Sequence, residues 1–404
     1  MINNRNIKSI ALFSVMAALT FGSCGDDDPK VTVPTTYEFL RNGESTVSFS
    51  GQTTRILMAE ELASAMKDFD KSAIDLQEMF ANEDASGGDV NPFSNEDLNS
   101  ETKSIRSKVA ASKDLFSTNT VEAITIKNQL DHWIEAQVSE VFPNENEQAE
   151  AGKAGQLADG TSTRYVSAKG LEYNQAFAKS LIGALMIDQI LNNYLSPAVL
   201  DEASNIEDNN VSTVVEGETY TNMEHKWDEA YGYLFGNSSS EANPLTDLGA
   251  DNFLNKYLSR VEDDADFTGI AQDIYDAFKE GRAAIVEEAY GTRDKQADII
   301  KEKLSEVIGI RAVYYLQQGK KALEVEDFGG GFHDLSEGYG FIYSLRFTRD
   351  AGSSNSKFSS SEVDSFISQL EEGNGFWDVT PETLDAISES IAAKYDFTVA
   401  QAAE

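Results

Sequence analysis

The sequence predicts an all-α protein built from two duplicated helical bundles, with a short N-terminal β-hairpin. Apolar residues recur at three-to-four-residue spacing through most of the chain, whereas alternating strand patterns are rare. A short pattern, H-x3-E-x-Y-G-aromatic, begins at His225 and again at His333. Because the chain has only three histidines, two in matching positions indicate a duplicated module.

The first 23 residues have the features of a signal peptide. Arg5 and Lys8 precede an apolar stretch over 10–19 that is too short to span a bilayer. Cys24, the only cysteine, follows two small residues in an arrangement that resembles a bacterial lipobox. The resemblance implies cleavage before Cys24 and lipidation of that residue. An ordinary signal peptide with an incidental cysteine is the alternative.

Residues 24–36 form a predicted lipidated acidic tether. Asp26, Asp27 and Asp28 follow the cysteine directly. This acidic run resembles the export signal of surface-exposed lipoproteins in Bacteroidetes-type bacteria, and a solvated linker is the alternative. We therefore expect an outer-membrane lipoprotein that faces the cell surface or the periplasm and contacts the membrane through its anchor.

Residues 37–240 are predicted to form the hairpin and the first bundle. Asn42-Gly43 between alternating apolar residues predicts the hairpin turn. Polar loops are expected at 82–92 and 145–160. Helical spacing and capping residues predict five helices, at about 56–80, 94–116, 121–141, 171–195 and 220–235.

Residues 241–404 are predicted to form the second bundle. We interpret Gly329–Gly331 as a flexible start to the helix that carries the second motif, and Thr380-Pro381 as the start of the last helix. The other predicted helices of this bundle lie at about 248–261, 267–290, 293–323 and 361–370.

The net charge of −37 comes from 69 acidic and 32 basic residues. Such a surface repels nucleic acid and other polyanions, so no nucleic-acid partner is expected. It suits solubility in a salty medium, and local enrichment of cations is the second interpretation.

On an ideal helix, the first motif places His225, Asp228, Glu229 and Gly232 on one face, with Tyr231 turned to the flank. The glycine has no side chain, so another helix or a ligand can approach closely there. The second motif repeats this arrangement with the residues His333, Ser336, Glu337, Gly340 and Tyr339.

An imidazole and a carboxylate one turn apart can bind the same iron or zinc ion. If the two bundles face each other, both histidines and both glutamates could share one ion, and Asp228 is a further candidate ligand. The alternative is a His–Glu hydrogen bond or ion pair that stabilises each helix. No zincin signature, P-loop or G-x-S-x-G motif is present, so no catalytic residue is assigned and binding is favoured over catalysis.

Two family resemblances follow from these residues. The segment from His225 to Gly236 is similar to the G-x-H-x-x-E region of imelysin-like proteins, although Asp228 stands at the glutamate position and Met223 at the glycine. The segments Tyr37–Phe39 and Ser50–Arg55 resemble a Bacteroidetes lipoprotein family of unknown function, of the DUF4856 type. The imelysin resemblance implies two duplicated α-bundles with a site between them and a role connected with iron.

Three functional hypotheses remain at this point. The first is a lipoprotein that binds a metal ion or a metal-bearing ligand in iron acquisition, with an outer-membrane protein as a partner. The second is a surface scaffold that binds a protein partner and no small ligand. The third is a hydrolase of undefined substrate.

Overall fold

Helices dominate the computed structural model, which describes residues 30–353 and 355–404. Within these residues the α-helices are α1 Ser50–Ala65, α2 Ala73–Ala81, α3 Glu96–Asn99, α4 Ile105–Lys108, α5 Lys113–Phe116, α6 Thr120–Ala136, α7 Tyr173–Leu181, α8 Pro197–Leu200, α9 Asn205–Asn210, α10 Asn222–Phe235, α11 Leu254–Glu262, α12 Ile270–Val286, α13 Tyr290–Glu324, α14 Phe328–Ser344, α15 Ser360–Leu370, α16 Pro381–Ala392 and α17 Val399–Ala402. The predicted all-α class is confirmed. The signal peptide, Cys24 and the tether up to residue 29 lie outside the described residues.

Several helices continue beyond their α-helical part. A π-helical segment at Gln137–Val141 extends α6, and two more at Ile182–Ile187 and Ile190–Tyr194 extend α7. The segment 173–194 is therefore one long buried helical rod, close to the predicted 171–195. Short 3-10 turns lie at Phe142–Asn144, Pro244–Asp247, Leu345–Phe347 and Gly375–Trp377.

The N-terminal hairpin is confirmed. Strand β1 (Leu40–Arg41) pairs antiparallel with β2 (Glu44–Ser45). Asn42 and Gly43 form the two-residue turn, and both have positive φ, 56° and 86°. This is the backbone that a type I′ turn requires, and Asn-Gly adopts it at low cost.

A second hairpin replaces part of the predicted loop at 145–160, so that prediction is wrong. Strand β3 (Gly155–Asp159) pairs with β4 (Ser162–Val166). A Cβ atom on Gly329 would lie 2.0 Å from the Ala158 carbonyl oxygen. The glycine run is therefore not a flexible start; it opens α14 and lets the β3 backbone pack against that helix.

Two predicted helices are interrupted in the structure. The predicted helix 56–80 is divided into α1 and α2, because Ser72 starts a new helix through a capping box with Asp75. The predicted helix 94–116 is wrong: only the single turns α3, α4 and α5 form there. Ala110 has a φ of 44°, and the amides of the two residues that follow it donate to the buried Asp188 carboxylate. This tertiary contact overrides the local helical periodicity.

Helices from both predicted bundles pack together on one hydrophobic core. α7 packs against α14, where the Gly183 amide donates to Ser344 Oγ. α10 packs against α12, where Gly281 leaves room for the fully buried indole of Trp227. The boundary between residues 240 and 241 therefore crosses a continuous core, and the two ranges stay a prediction.

A search for membrane-spanning helices in residues 30–353 and 355–404 finds none with sufficient length and apolar character.

Candidate functional site

Both copies of the repeated motif lie on α-helices. The first is on α10, which starts at a capping box formed by Thr221 and Glu224. The second is on α14, whose N-cap residue Asp327 accepts a hydrogen bond from the Gly330 amide. Each motif histidine is therefore held one turn before its glutamate, as the sequence predicts.

The motif glycines are the points where another helix crosses. A Cβ atom on Gly232 would lie 2.4 Å from Cβ of Phe49, which directly precedes α1. A Cβ atom on Gly340 would lie 2.4 Å from Cβ of Lys179 on α7. Both distances are too short for any side chain, so α1 crosses α10 as α7 crosses α14. The repeat therefore extends from the motif itself to the helix packed against it.

The two histidines are oriented through the same ring nitrogen. Nδ1 of His225 lies 3.0 Å from the Ser48 carbonyl oxygen, and Nδ1 of His333 lies 3.1 Å from Oε2 of Glu172. Because both partners are acceptors when Glu172 is ionised, each Nδ1 carries a proton and donates. In the neutral imidazole, Nε2 then holds the lone pair that can bind a metal or a proton.

Each Nε2 faces the glutamate one turn away. Nε2 of His225 is 3.9 Å from Oε2 of Glu229, and Nε2 of His333 is 3.8 Å from Oε1 of Glu337. These distances allow an ion pair but exceed those of a hydrogen bond. Neither His–Glu pair therefore forms the hydrogen bond that would stabilise its helix. In each pair a gap remains between the histidine Nε2 atom and the glutamate oxygen.

Other groups hold the glutamates. Glu229 accepts from Lys226 at 2.6 Å and from Gln52 at 2.9 Å. Burial opposes ionisation of Glu337, but the charges of Lys179, 3.3 Å away, and of His333 outweigh it and lower the pKa of this carboxyl to about 2. Both motif glutamates are thus carboxylates at neutral pH.

The two histidines differ in their electrostatic surroundings. Burial lowers the pKa of His225, with Lys226 adding to this effect and Glu229 opposing it. Burial also acts against protonation of His333, but the hydrogen bond and charge of Glu172 prevail and raise its pKa. The surroundings therefore lower the pKa of the motif histidine in one copy and raise it in the other.

Asp228 faces a different set of partners from His225. Its Oδ1 accepts from the Tyr37 hydroxyl at 2.7 Å and from Nε of Arg282 at 3.0 Å. Burial is the largest influence and raises the pKa of Asp228 to about 6, although Arg282 opposes it. Arg282 also pairs with Glu224 at 3.1 Å. The predicted ligand Asp228 is thus part of a buried ion-pair cluster.

The motif tyrosines lie in the core, on the flank of the histidine face. The Tyr231 hydroxyl donates to the Glu241 carbonyl oxygen at 2.5 Å, and the Tyr339 hydroxyl donates to Glu371 at 2.7 Å. Tyr231 also stacks on Tyr37, with ring centroids 3.7 Å apart. These residues support the helices and do not face the His–Glu gap.

The second motif opens onto a cavity of about 500 Å³. His333 and Glu337 line this cavity, whereas the corresponding residues of the first copy, His225 and Glu229, do not. Its wall is mostly polar and carries four cationic side chains, Lys67, Lys179, Lys256 and Arg260. Sequence reasoning missed this wall because its cations lie just after α1, on α7 and on α11, and only the tertiary fold brings them together.

No group of three or more His, Cys, Asp or Glu side chains in the described part of the chain is arranged to hold a metal ion. The structure brings His225 to Glu229 and His333 to Glu337, and the contacts of the two pairs involve different residues. Metal binding by the predicted ligands His225, Asp228, Glu229, His333 and Glu337 stays a prediction.

A family model matches this chain over residues 34–398, and its description is "Domain of unknown function (DUF4856)". Neither the curated proteins nor the solved structures contain a match to the chain. The match covers nearly all described residues, including both motifs and the cavity.

We expect the substitution Arg282→Met to lower the free energy of unfolding by about 3–5 kcal/mol, because it leaves the buried carboxylates of Asp228 and Glu224 without their shared cation. The matched control is Arg106→Met, which removes a partly exposed ion pair with Asp131 and should cost about 1 kcal/mol or less. Urea unfolding measures both. Equal losses would contradict the assigned role of Arg282.

The pKa of His333 should lie above the ordinary histidine value of about 6.5, and the pKa of His225 should lie below it. A raised pKa in the fold means that His333 contributes stability below its unfolded pKa and loses it as pH rises. A lowered pKa means that His225 contributes stability above its unfolded pKa and loses it as pH falls. NMR titration of the imidazoles, assigned with the His225→Gln and His333→Gln variants, measures the order. A pKa of His333 that is lower than the pKa of His225 would contradict this prediction.

Proposed function

Because the chain belongs to the DUF4856 family, whose description assigns no activity, we propose a function from the site itself: the protein binds a small metal-bearing ligand in the cavity of the second motif. One observation supports this most directly. Nε2 of His333 and Oε1 of Glu337 face each other across 3.8 Å at the wall of a cavity of about 500 Å³. Bonds of about 2 Å from one metal ion can reach two such atoms after a small movement.

The cavity favours a metal complex over a bare metal ion. Two protein ligands are too few for a closed coordination shell. The wall also carries four cationic side chains against three acidic ones, Glu60, Asp334 and Glu337, which weakens its attraction for a free cation. A chelate with anionic donor groups meets both conditions. Its own atoms complete the coordination shell of the metal, and its negative charge is attracted to the cationic side chains of the wall.

Polarity narrows the class of chelate further. The residues around the cavity are chiefly Lys, Arg, Asn, Gln, Asp and Glu, with tyrosines at one side. A porphyrin needs a largely apolar pocket for its macrocycle, as most organic ligands do. A hydrophilic carboxylate chelate of iron or zinc fits this wall better than haem does.

The wider context of this proposal comes from the sequence. An imelysin-like arrangement, a Bacteroidetes-type lipoprotein at the outer membrane, and an outer-membrane partner in iron acquisition all agree with a capture role. Cys24 is the residue that attaches the protein to the membrane in this proposal. The acidic surface would repel free anions. Only an anionic ligand that fits the cationic cavity would then be bound, which provides the selectivity.

We expect wild-type protein to bind ferric citrate, measured by isothermal titration calorimetry on the mature chain, and His333→Ala to weaken binding at least about tenfold. His225→Ala is the matched control, because it removes the same residue from a motif that does not line the cavity. Zinc chloride and haem are the comparison probes. Equal affinity of wild type and His333→Ala for ferric citrate, zinc and haem would refute the proposal.

Lipidation at Cys24 is tested separately. We expect mass spectrometry of the protein expressed in its own host to find a diacylglyceryl group on an N-terminal Cys24. We also expect a Cys24→Ser variant to leave the membrane fraction. A membrane-bound Cys24→Ser variant would contradict the anchor. Stoichiometric capture of an outer-membrane protein without binding of any of the three metal probes would instead favour the scaffold function.

A further inference from the structure

Four cationic side chains in and beside one cleft have no acidic partner among the described residues. No carboxylate oxygen of the described residues lies within 4.0 Å of a side-chain nitrogen of Lys67, Lys256, Arg260 or Arg311. The chain carries 69 acidic residues, more than twice its 32 basic ones, so unpaired cations need a reason. Burial, followed by the charges of Lys179 and Arg260, lowers the pKa of Lys256, which shows how crowded these positive charges are.

Arg311 on α13 is the most unusual of these cations. Its side chain is only 4% exposed, yet its Nε and Nη2 atoms have no hydrogen-bond partner. These two nitrogens form one edge of the guanidinium, the edge that holds two oxygens of a carboxylate or phosphate. Arg106 uses the same edge on Asp131, with distances of 3.0 and 2.7 Å. Both nitrogens of Arg311 are shielded from solvent, and no acid fills this edge, so an anion reaches it only after a movement of the side chain.

Aromatic rings pack against Arg311 without satisfying that edge. Its guanidinium carbon lies 4.0 Å from the ring centroid of Tyr314 and 4.6 Å from that of Tyr315. Cation–π contacts of this kind attract the guanidinium charge but provide no hydrogen-bond acceptor for the Nε and Nη2 atoms. A buried unpaired cationic donor is costly, so a purely structural arginine would be expected to have a carboxylate or carbonyl partner.

Arg311 lies where two cavities meet. It lines a cavity of about 560 Å³, which shares Arg260 and Tyr314 with the cavity of the second motif. Arg260 is itself positioned by a 2.8 Å hydrogen bond from its Nη1 to the Tyr315 hydroxyl. A ligand in the second-motif cavity can therefore extend toward both guanidinium groups.

The acids near this junction do not fill it. Asp263, Asp264 and Glu404 line the same outer cavity. None of these three acids lies within ion-pair distance of Arg260 or Arg311 in the part of the chain that the structure describes. A water molecule can satisfy the N–H groups in part, but it leaves the positive charge without compensation. An anion that enters the cleft provides both the hydrogen bonds and the charge.

We infer that Arg311 and Arg260 form an oxyanion subsite, which binds a carboxylate or phosphate group of a small ligand at the junction of the two cavities. The inference deepens the proposed function, on which it rests for the choice of cleft, and it does not require a metal. The chemistry that it specifies is a ligand with at least one terminal oxyanion, held side-on by Arg311 and from the cavity mouth by Arg260.

Metal-free citrate and inorganic phosphate are the two probes, titrated by calorimetry into the full mature chain. We expect the wild type to bind at least one with a Kd below about 1 mM. Arg311→Lys should weaken that binding at least about tenfold, because lysine keeps the charge but lacks the two-nitrogen edge. Binding of citrate alone identifies a carboxylate ligand, and binding of phosphate identifies a phosphate ligand.

Arg106→Lys is the control, because it alters the same edge at a site outside the cleft and should leave probe binding unchanged. Circular dichroism melting establishes that each variant is folded, and Arg260→Gln provides a second variant if Arg311→Lys is not. Wild type that binds neither probe, or equal affinities of wild type and folded Arg311→Lys, would overturn the inference. Ferric citrate binding that depends on His333 but not on Arg311 would do so while leaving the proposed function intact.

Discussion

The buried cluster of Arg282 with Asp228 and Glu224 is the constraint on which the first half of the fold depends. Arg282 and Asp228 are fully buried, and the cost of removing their charges from water is offset only when every partner is in place. Tyr37 and Arg41 complete the cluster from the hairpin segment, at 2.7 Å from Asp228 and 2.9 Å from Glu224. One set of ion pairs therefore ties the hairpin, α10 and α12 together and fixes the face that His225 presents.

The second motif is built around different charges and borders a cavity. Ser336 stands where the first copy has Asp228, and it accepts a hydrogen bond from the Glu172 amide at 2.9 Å. The buried carboxylates there, Glu172 and Glu337, both contact His333, and the partly exposed Arg164 of the β3–β4 hairpin lies 4.0 Å from Glu172. Lys179 and Tyr257 also contact Glu337, and the surface beyond them stays open. The same H-x3-E frame thus lies beside a closed ion-pair cluster at His225 and beside an open polar cavity at His333.

Charge distribution links this cavity to the rest of the molecule. A chain with a net charge of −37 repels anions over most of its surface. The electrostatic potential inside a cleft lined by cationic side chains therefore differs from that of the surrounding surface. The cleft couples two chemistries that are separate in space: a His–Glu pair at one cavity and a free guanidinium edge at the next. A small anionic chelate carries a metal ion for the His–Glu pair and an oxyanion for the guanidinium edge in one molecule. A bare cation lacks the oxyanion, and a polyanion lacks the metal ion.

Local patterns in the sequence were enough to predict the helical class, the hairpin turn at Asn42-Gly43, the placement of both motifs on helices and the close approach at Gly232 and Gly340. These features depend on local spacing and on the absence of a side chain, which can be recognised within one chain segment. Three other features became visible only in the folded chain: Asp228 belongs to an ion-pair cluster, the motif histidines have opposite pKa shifts, and Arg311 lacks an acid. Each of these depends on residues far apart in the chain, since burial and charge act through space and leave no fixed spacing in the sequence.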